Sequence, residues 1–142
     1  IFKLIPLNNI IKDMHFMLQK EVVERIIAKP GNKTYGRLSI MAQTYYDVKK
    51  LFDISPNVFV PKPKVYSSYL KMYPKVKIFK DEKHENSFSK IVKIAFISRR
   101  KMLKTSLKNI INTEVFETLS INSCSRPEEL SPKNFIEISK YV

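Results

Sequence analysis

Residues 10–28 read IIKDMHFMLQKEVVERIIA, and a change of period inside this stretch decides the fold class. Met14, Phe16 and Leu18 recur at every second position, the repeat of a half-buried strand, which we place over Ile10–Gln19. From Lys20 the repeat changes. Val22, Val23, Ile26 and Ile27 fall at helical spacing over Lys20–Ala28, and Pro30-Gly31 ends the run. A strand feeding straight into an amphipathic helix predicts a mixed α/β unit. Working outward, a polar loop, Asn32-Lys33-Thr34, precedes a second helix from about Gly36 to Tyr46, where Leu38, Met41, Ala42 and Tyr45 share a face. Val48–Ile54 and Lys64–Met72 predict two more strands. Between them, Phe59-Val60-Pro61-Lys62-Pro63 lacks two N–H donors and cannot be a central strand. Three strands with two helices leave a sheet edge open, and we expect a preceding segment to cover it.

Residues 1–74 therefore form the α/β part, and the charged, weakly patterned stretch 75–85 (KVKIFKDEKHE) predicts a linker. From Asn86 the pattern is helical. Phe88, Ile91, Val92, Ala95 and Phe96 make one apolar stripe, and Met102, Leu103, Leu107, Ile110 and Ile111 make a second. Val115, Phe116 and Leu119 predict a short third helix. Ser131-Pro132, a serine N-cap followed by proline in the first turn, starts the last one, with Phe135, Ile136 and Ile138 inward. Residues 86–142 read as a small all-α domain.

The net charge is +13, from 26 Lys+Arg against 13 Asp+Glu. Lysine, asparagine and isoleucine are abundant throughout, so the total alone is a blunt signal. Distribution is sharper: Ile54–Lys80 holds six lysines and no acid, and Asn86–Thr113 holds seven basic residues and no acid. One-sign stretches of this kind favour a polyanion, because each phosphate neutralised releases counterions. One cysteine, Cys124, excludes an intramolecular disulfide framework and fits a reducing, cytoplasmic setting. His15 and His84 are too isolated for a Cys/His metal site. No apolar run approaches the ~20 residues that cross a bilayer. The sequence opens on Ile1 without methionine and without a signal-peptide pattern, so we expect it to begin within a longer protein.

The candidate chemistry lies in the basic stretches. Prolines around Lys62 stiffen the backbone, so Phe59 would be presented by a loop of fixed shape beside Lys62 and Lys64. An extruded base needs a stacking face with positive charge near it; the competing reading is that Phe59 plugs the core. Arg100, Lys104 and Lys108 recur every four residues and would track phosphates from one helical face, flanked by Arg99 and Lys101. Lys33, Tyr35 and Arg37 sit where a loop opens a helix, a place for a phosphate. Glu21 and Glu24 suit the start of a helix rather than catalysis. His15 reads as a core histidine, and Cys124 as a small helix-end residue.

Five blocks resemble one family in order and at fitting spacings, over nearly the whole chain. Asp13-Met14-His15-Phe16-Met17-Leu18-Gln19-Lys20-Glu21-Val22-Val23 is similar to the segment that follows the catalytic motif in bacterial small-subunit ribosomal RNA adenine dimethyltransferases. Tyr35-Gly36-Arg37-Leu38-Ser39-Ile40-Met41-Ala42-Gln43 resembles the next block, and Phe59-Val60-Pro61-Lys62-Pro63-Lys64-Val65 the one after. Arg99-Arg100-Lys101 with Ser106-Leu107, then Arg126-Pro127-Glu128-Glu129-Leu130-Ser131, complete the series.

The resemblance implies the C-terminal part of a Rossmann-like methyltransferase domain followed by a small helical domain. It implies an enzyme that acts on ribosomal RNA of the small subunit; separately, we expect a monomer with no membrane association and no metal. Methyl groups pass from S-adenosylmethionine to N6 of two adjacent adenosines near the RNA 3′ end, each adenine being flipped into a pocket. There an Asn-[Leu/Ile]-Pro-Tyr motif binds the amine and stacks one face, and the residue matching Phe59 stacks the other. This chain has no Gly-x-Gly loop after a strand and no Asn-x-Pro-Tyr, so cofactor binding and amine recognition are expected outside it; Ile1-Phe2-Lys3-Leu4 resembles the helix that follows that motif. Tyr66 stands where relatives carry an acidic or amide-like residue. The competing readings are the large-subunit adenosine methyltransferases, a non-catalytic RNA-binding assembly factor and, weakest, a helix-turn-helix DNA binder, since the helical region has no glycine for a tight turn.

Overall fold

The computed structural model describes residues 1–76 and 78–142. After a 3-10 turn at Phe2–Leu7 come strand β1 (Met14–Gln19), helices α1 (Lys20–Ile27) and α2 (Arg37–Tyr45), and strands β2 (Tyr46–Ile54) and β3 (Ser67–Pro74). Helices α3 (Glu82–Ile97), α4 (Leu103–Ser106), α5 (Glu114–Thr118) and α6 (Pro132–Ser139) follow. The three strands lie in the order β1-β3-β2, with β3 antiparallel to both neighbours. The last strand is therefore wedged between the first two, and β1 and β2 are the edges among the described residues. β3 begins at Ser67 rather than Lys64, because Lys64–Tyr66 still belong to the proline-bearing loop.

One face of the sheet is covered. Met14, Phe16 and Leu18 of β1 point inward, opposite Met72, Leu70 and Ser68 of β3. On β2 the alternation breaks. Lys50 pairs with Leu70 but Phe52 pairs with Tyr69, so Leu51 is the extra residue of a bulge. The bulge turns Phe52 to the outer face, where it stacks on Tyr69 at 5.3 Å, and turns Asp53 inward opposite Ser68. His15, expected in the core, also lies on the outer face, exposed and edge-on to Tyr69. A period-two strand with one covered face places every second residue outside, and His15 is out of phase with Met14 and Phe16.

Helix α3 starts at Glu82, inside the stretch expected as a linker, because Asp81 caps it by accepting the His84 N–H at 2.8 Å. The segment between β3 and α3 is accordingly 75–81, of which Lys77 lies outside the described residues. The expected helix over 102–111 is only the single turn of α4, followed by further turns. Leu103, Leu107 and Ile111 are nonetheless all buried, so the apolar spacing survives the loss of regular helix. Helix α6 starts as the Ser131-Pro132 signal requires, with Ser131 Oγ accepting the Asn134 N–H.

The sheet, α1 and α2 share one continuous apolar core with α3–α6. The loop between α1 and α2 is where the helical part grips the α/β part. Gly31, at φ +83°, turns its N–H to the Glu128 carbonyl at 2.8 Å. Arg99 donates from Nη2 to the Lys33 carbonyl at 2.8 Å and from Nε to Glu128 Oε2 at 2.5 Å. Tyr35 is fully buried and its hydroxyl donates to the Leu130 carbonyl at 2.8 Å. The expected phosphate contact by Tyr35 is thereby corrected: the side chain is inside, and burial holds its phenol well above the usual tyrosine range. We expect Tyr35→Phe to leave the Leu130 carbonyl unpaired and to cost about 1–3 kcal/mol in urea unfolding. A loss below roughly 0.5 kcal/mol would mean that water reaches that carbonyl.

Candidate nucleic-acid interface

The loop that carries Phe59 leaves β2 after Ile54 and re-enters the sheet at Ser67, and these two residues are paired partners. Ser55 accepts the Asn57 N–H at 3.2 Å and starts the 3-10 turn Pro56–Val58, which the Phe59 N–H closes on Pro56 O at 3.3 Å. Phe59 then sits in extended backbone with its side chain half-buried. It is absent from the buried core, so the core-plug reading fails. Around it the loop is open: Val58, Val60, Val65 and Tyr66 are exposed hydrophobics, and Val60 is 100% exposed. Lys62 and Lys64 are exposed too.

The foot of this loop holds residues that sequence reasoning passed over. Asp53, turned inward by the bulge, accepts from Ser68 Oγ at 2.6 Å, Lys20 Nζ at 3.0 Å and Lys50 Nζ at 3.2 Å. Those partners hold its carboxyl below the usual range, the Ser68 hydrogen bond foremost. Tyr66, at the other foot of the loop, is exposed. The Tyr66 ring lies under the Lys20 ammonium, 5.7 Å from the centroid, and its carbonyl accepts the Lys20 N–H at 2.9 Å. One signal for this was present: Asp53 is the only acid between Asp47 and Asp81.

The basic candidates separate into paired and unpaired. Arg99 is engaged by Glu128 and by the Lys33 carbonyl, so the phosphate role given to it by sequence is corrected to a structural one. Lys33, Arg37, Lys62, Lys64, Arg100, Lys101, Lys104 and Lys108 are exposed and form no ion pair among the described residues. The common helical face expected for Arg100, Lys104 and Lys108 does not exist. Helix α3 ends at Ile97, Arg100 and Lys101 lie in the turn after it, Lys104 is on α4 and Lys108 in the next turn. What gathers the charge is tertiary: the Arg99 contact sets the Lys33 loop against the turn that bears Arg100 and Lys101.

Both glycines of the chain, Gly31 and Gly36, lie in the α1–α2 loop, and neither stands in a strand-to-helix turn. A Gly-x-Gly loop after a strand, the place expected for a methyl donor, would need a glycine where neither of these stands. No group of three or more His, Cys, Asp or Glu is placed to hold a metal ion among the described residues. Among the described residues no helix is long and apolar enough to cross a membrane.

Comparison with known proteins places this geometry in a family. A family model described as ribosomal RNA adenine dimethylase matches residues 1–142. Ribosomal RNA small subunit methyltransferase A of Hahella chejuensis is 41% identical over 142 residues, which is all of this chain and 52% of that protein. The proteins of the same name from Neisseria meningitidis and Dechloromonas aromatica are 41% and 38% identical, and the chain covers 55% and 56% of them. The chain thus spans about half the length of the curated relatives it matches. Among solved structures, a dimethyladenosine transferase from Plasmodium falciparum superposes with a TM-score of 0.82 at 25% identity, over 96% of this chain and 59% of that one. The 23S rRNA methyltransferase ErmE shares the fold at 12% identity and a TM-score of 0.66, over 92% of this chain and 54% of that one. The fold is that of the C-terminal part of a Rossmann-like methyltransferase, and the chain belongs to the ribosomal RNA adenine dimethylase family.

Proposed function

We propose that this chain is the RNA-docking and base-stacking part of an enzyme that dimethylates N6 of two adjacent adenosines near the 3′ end of small-subunit ribosomal RNA. The observation that carries the reading is Phe59, half-exposed on a loop anchored to paired strands, with the unpaired Lys62 and Lys64 on the same loop. A base swung out of its stack loses a neighbour on each face, and an aromatic ring fixed beside cations replaces one of them. S-adenosylmethionine would supply the methyl groups from residues outside this chain, so the chain alone is expected to bind RNA without turnover. Its own residues offer the second stacking face and the phosphate contacts.

Lys33, Arg37, Arg100, Lys101, Lys104 and Lys108 supply those contacts, on a surface assembled from both parts of the chain. Arg99 and Tyr35 act beneath it as supports. The division into an α/β part, a connecting segment and a helical RNA-binding domain belongs to the same proposal, as do a monomeric state and a cytoplasmic setting. The small-subunit substrate is favoured over the large-subunit one by the names of the relatives at about 40% identity, against 12% for the 23S rRNA enzyme.

The direct experiment is binding of this chain to a small-subunit rRNA 3′-end fragment across a salt series, with S-adenosylmethionine titrated in parallel by calorimetry. RNA binding without cofactor binding is expected; heat from the cofactor would relocate the donor site into this chain. Arg100→Glu with Lys104→Glu should weaken binding and flatten the slope of log K against log salt by about 1.5–2, the loss of two phosphate contacts. An unaltered slope would place these residues away from RNA. Phe59→Ala should lower affinity for RNA with an unpaired adenine at the target position by roughly fivefold or more, since one stacking face is worth ~1–3 kcal/mol. Affinity for the matching duplex should stay the same.

A further inference from the structure

We propose that Lys20 is the positioning residue of the Phe59 loop, tying its two feet together so that the ring is held where an extruded adenine would stack. This rests on the base-stacking reading of Phe59. The loop is bounded by Asp53 and Ile54 on β2 and by Tyr66 and Ser67 on β3, while Lys20 follows β1, on the far side of β3 from β2. From there it reaches both feet. Its N–H donates to the Tyr66 carbonyl at 2.9 Å, and its ammonium binds Asp53 at 3.0 Å while lying over the Tyr66 ring. One residue thus closes the base of the loop with a backbone bond, an ion pair and a cation–π contact.

Lys20 is not there for helix propensity. It is the first residue of α1, where the helix dipole disfavours a cation. Glu21 of the same turn suits the dipole, and the acid that Lys20 itself binds, Asp53 at 3.0 Å, comes from β2. Asp53 faces inward only because of the bulge at Leu51; a regular β2 would put it on the outer face. The bulge, the acid and the misplaced lysine are three irregularities with one common product, a fixed base for the loop. Nothing at the other end does the same work, since Val60 is fully exposed and Lys62 and Lys64 have no acid partner among the described residues.

The test compares Lys20→Met, which keeps the apolar stem, and Lys20→Arg, which keeps the charge, in the full chain. Two quantities are measured: NMR order parameters of the loop amides between Val58 and Tyr66, and the ratio of RNA affinities with adenosine or an abasic site at the target position. In Lys20→Met the order parameters should fall from about 0.85 toward about 0.6, and the adenosine preference should drop several-fold, with α1 shifts unchanged. Lys20→Arg should retain both. Loop order parameters unchanged in Lys20→Met would overturn the positioning role. Phe59→Ala tests the underlying reading separately: if it leaves the adenosine preference intact, base stacking by Phe59 fails whatever the loop dynamics show.

Discussion

The fit of the α1–α2 loop against the helical part is the contact on which the rest of the surface depends. Magnitudes assign the roles within it. Full burial of an aromatic side chain such as Tyr35 contributes about 1.5–3 kcal/mol, and its hydrogen bond to Leu130 adds about 1 kcal/mol. The Arg99–Glu128 pair is partly open to solvent and is worth at most about 1 kcal/mol. Apolar burial therefore supplies most of the energy. The polar contacts from Gly31, Arg99 and Tyr35 supply direction, because together they allow the loop only one seating. A hydrophobic contact alone could slide; this one cannot. Lys33 on one side and Arg100 and Lys101 on the other consequently belong to one surface, although 66 residues separate Lys33 from Arg99.

Pairing separates the cations more sharply than counting them. Lys20 and Lys50 share Asp53, Lys71 takes Asp13, Lys75 takes Asp47, and Arg99 takes Glu128. A cation with a carboxylate partner must give it up before it can hold a phosphate, whereas an unpaired one exchanges only water and counterions. These pairs lie at the sheet and at the seam between the two parts, whereas Arg25–Glu21 on α1 and Lys140–Glu137 at the end of α6 join neighbours on one helix. Lys62 and Lys64 on the Phe59 loop and Arg100, Lys101, Lys104 and Lys108 after α3 form no ion pair among the described residues.

What the sequence made legible was whatever local periodicity controls. The switch at Lys20, the three strands, the stripe on α3 and the Ser131 cap could all be read within a few residues of their bounds. Several of the failures share one cause: they depended on a partner distant in the chain. Tyr35 looked like a loop residue until Leu130, 95 positions away, buried it. Arg99 was indistinguishable from Arg100 until Glu128 claimed it. The Arg100–Lys104–Lys108 spacing suggested a helix, yet only the turn at Leu103–Ser106 is α-helical there, and tertiary packing of Leu103, Leu107 and Ile111 preserves the apolar spacing without it. Asp53 was hidden by a bulge, which shifts the phase of a strand by one residue and leaves little trace in composition.

The proposed stacking on Phe59 is useful only if the loop is already in place. A face-on contact with a base is worth ~1–3 kcal/mol, while fixing the backbone of a single residue costs about 1–2 kcal/mol. A loop that became ordered only on binding would therefore lose the whole gain in ordering one or two residues. The backbone must be restricted beforehand, and the chain does this in two ways. Pro56, Pro61 and Pro63 limit φ along the loop itself. Lys20 and Asp53 close its base, where the strands Ile54 and Ser67 belong to are already paired. The tip can then stay open and apolar, with Phe59 half-exposed, because its position is set from below rather than by burying the ring proposed to meet a base.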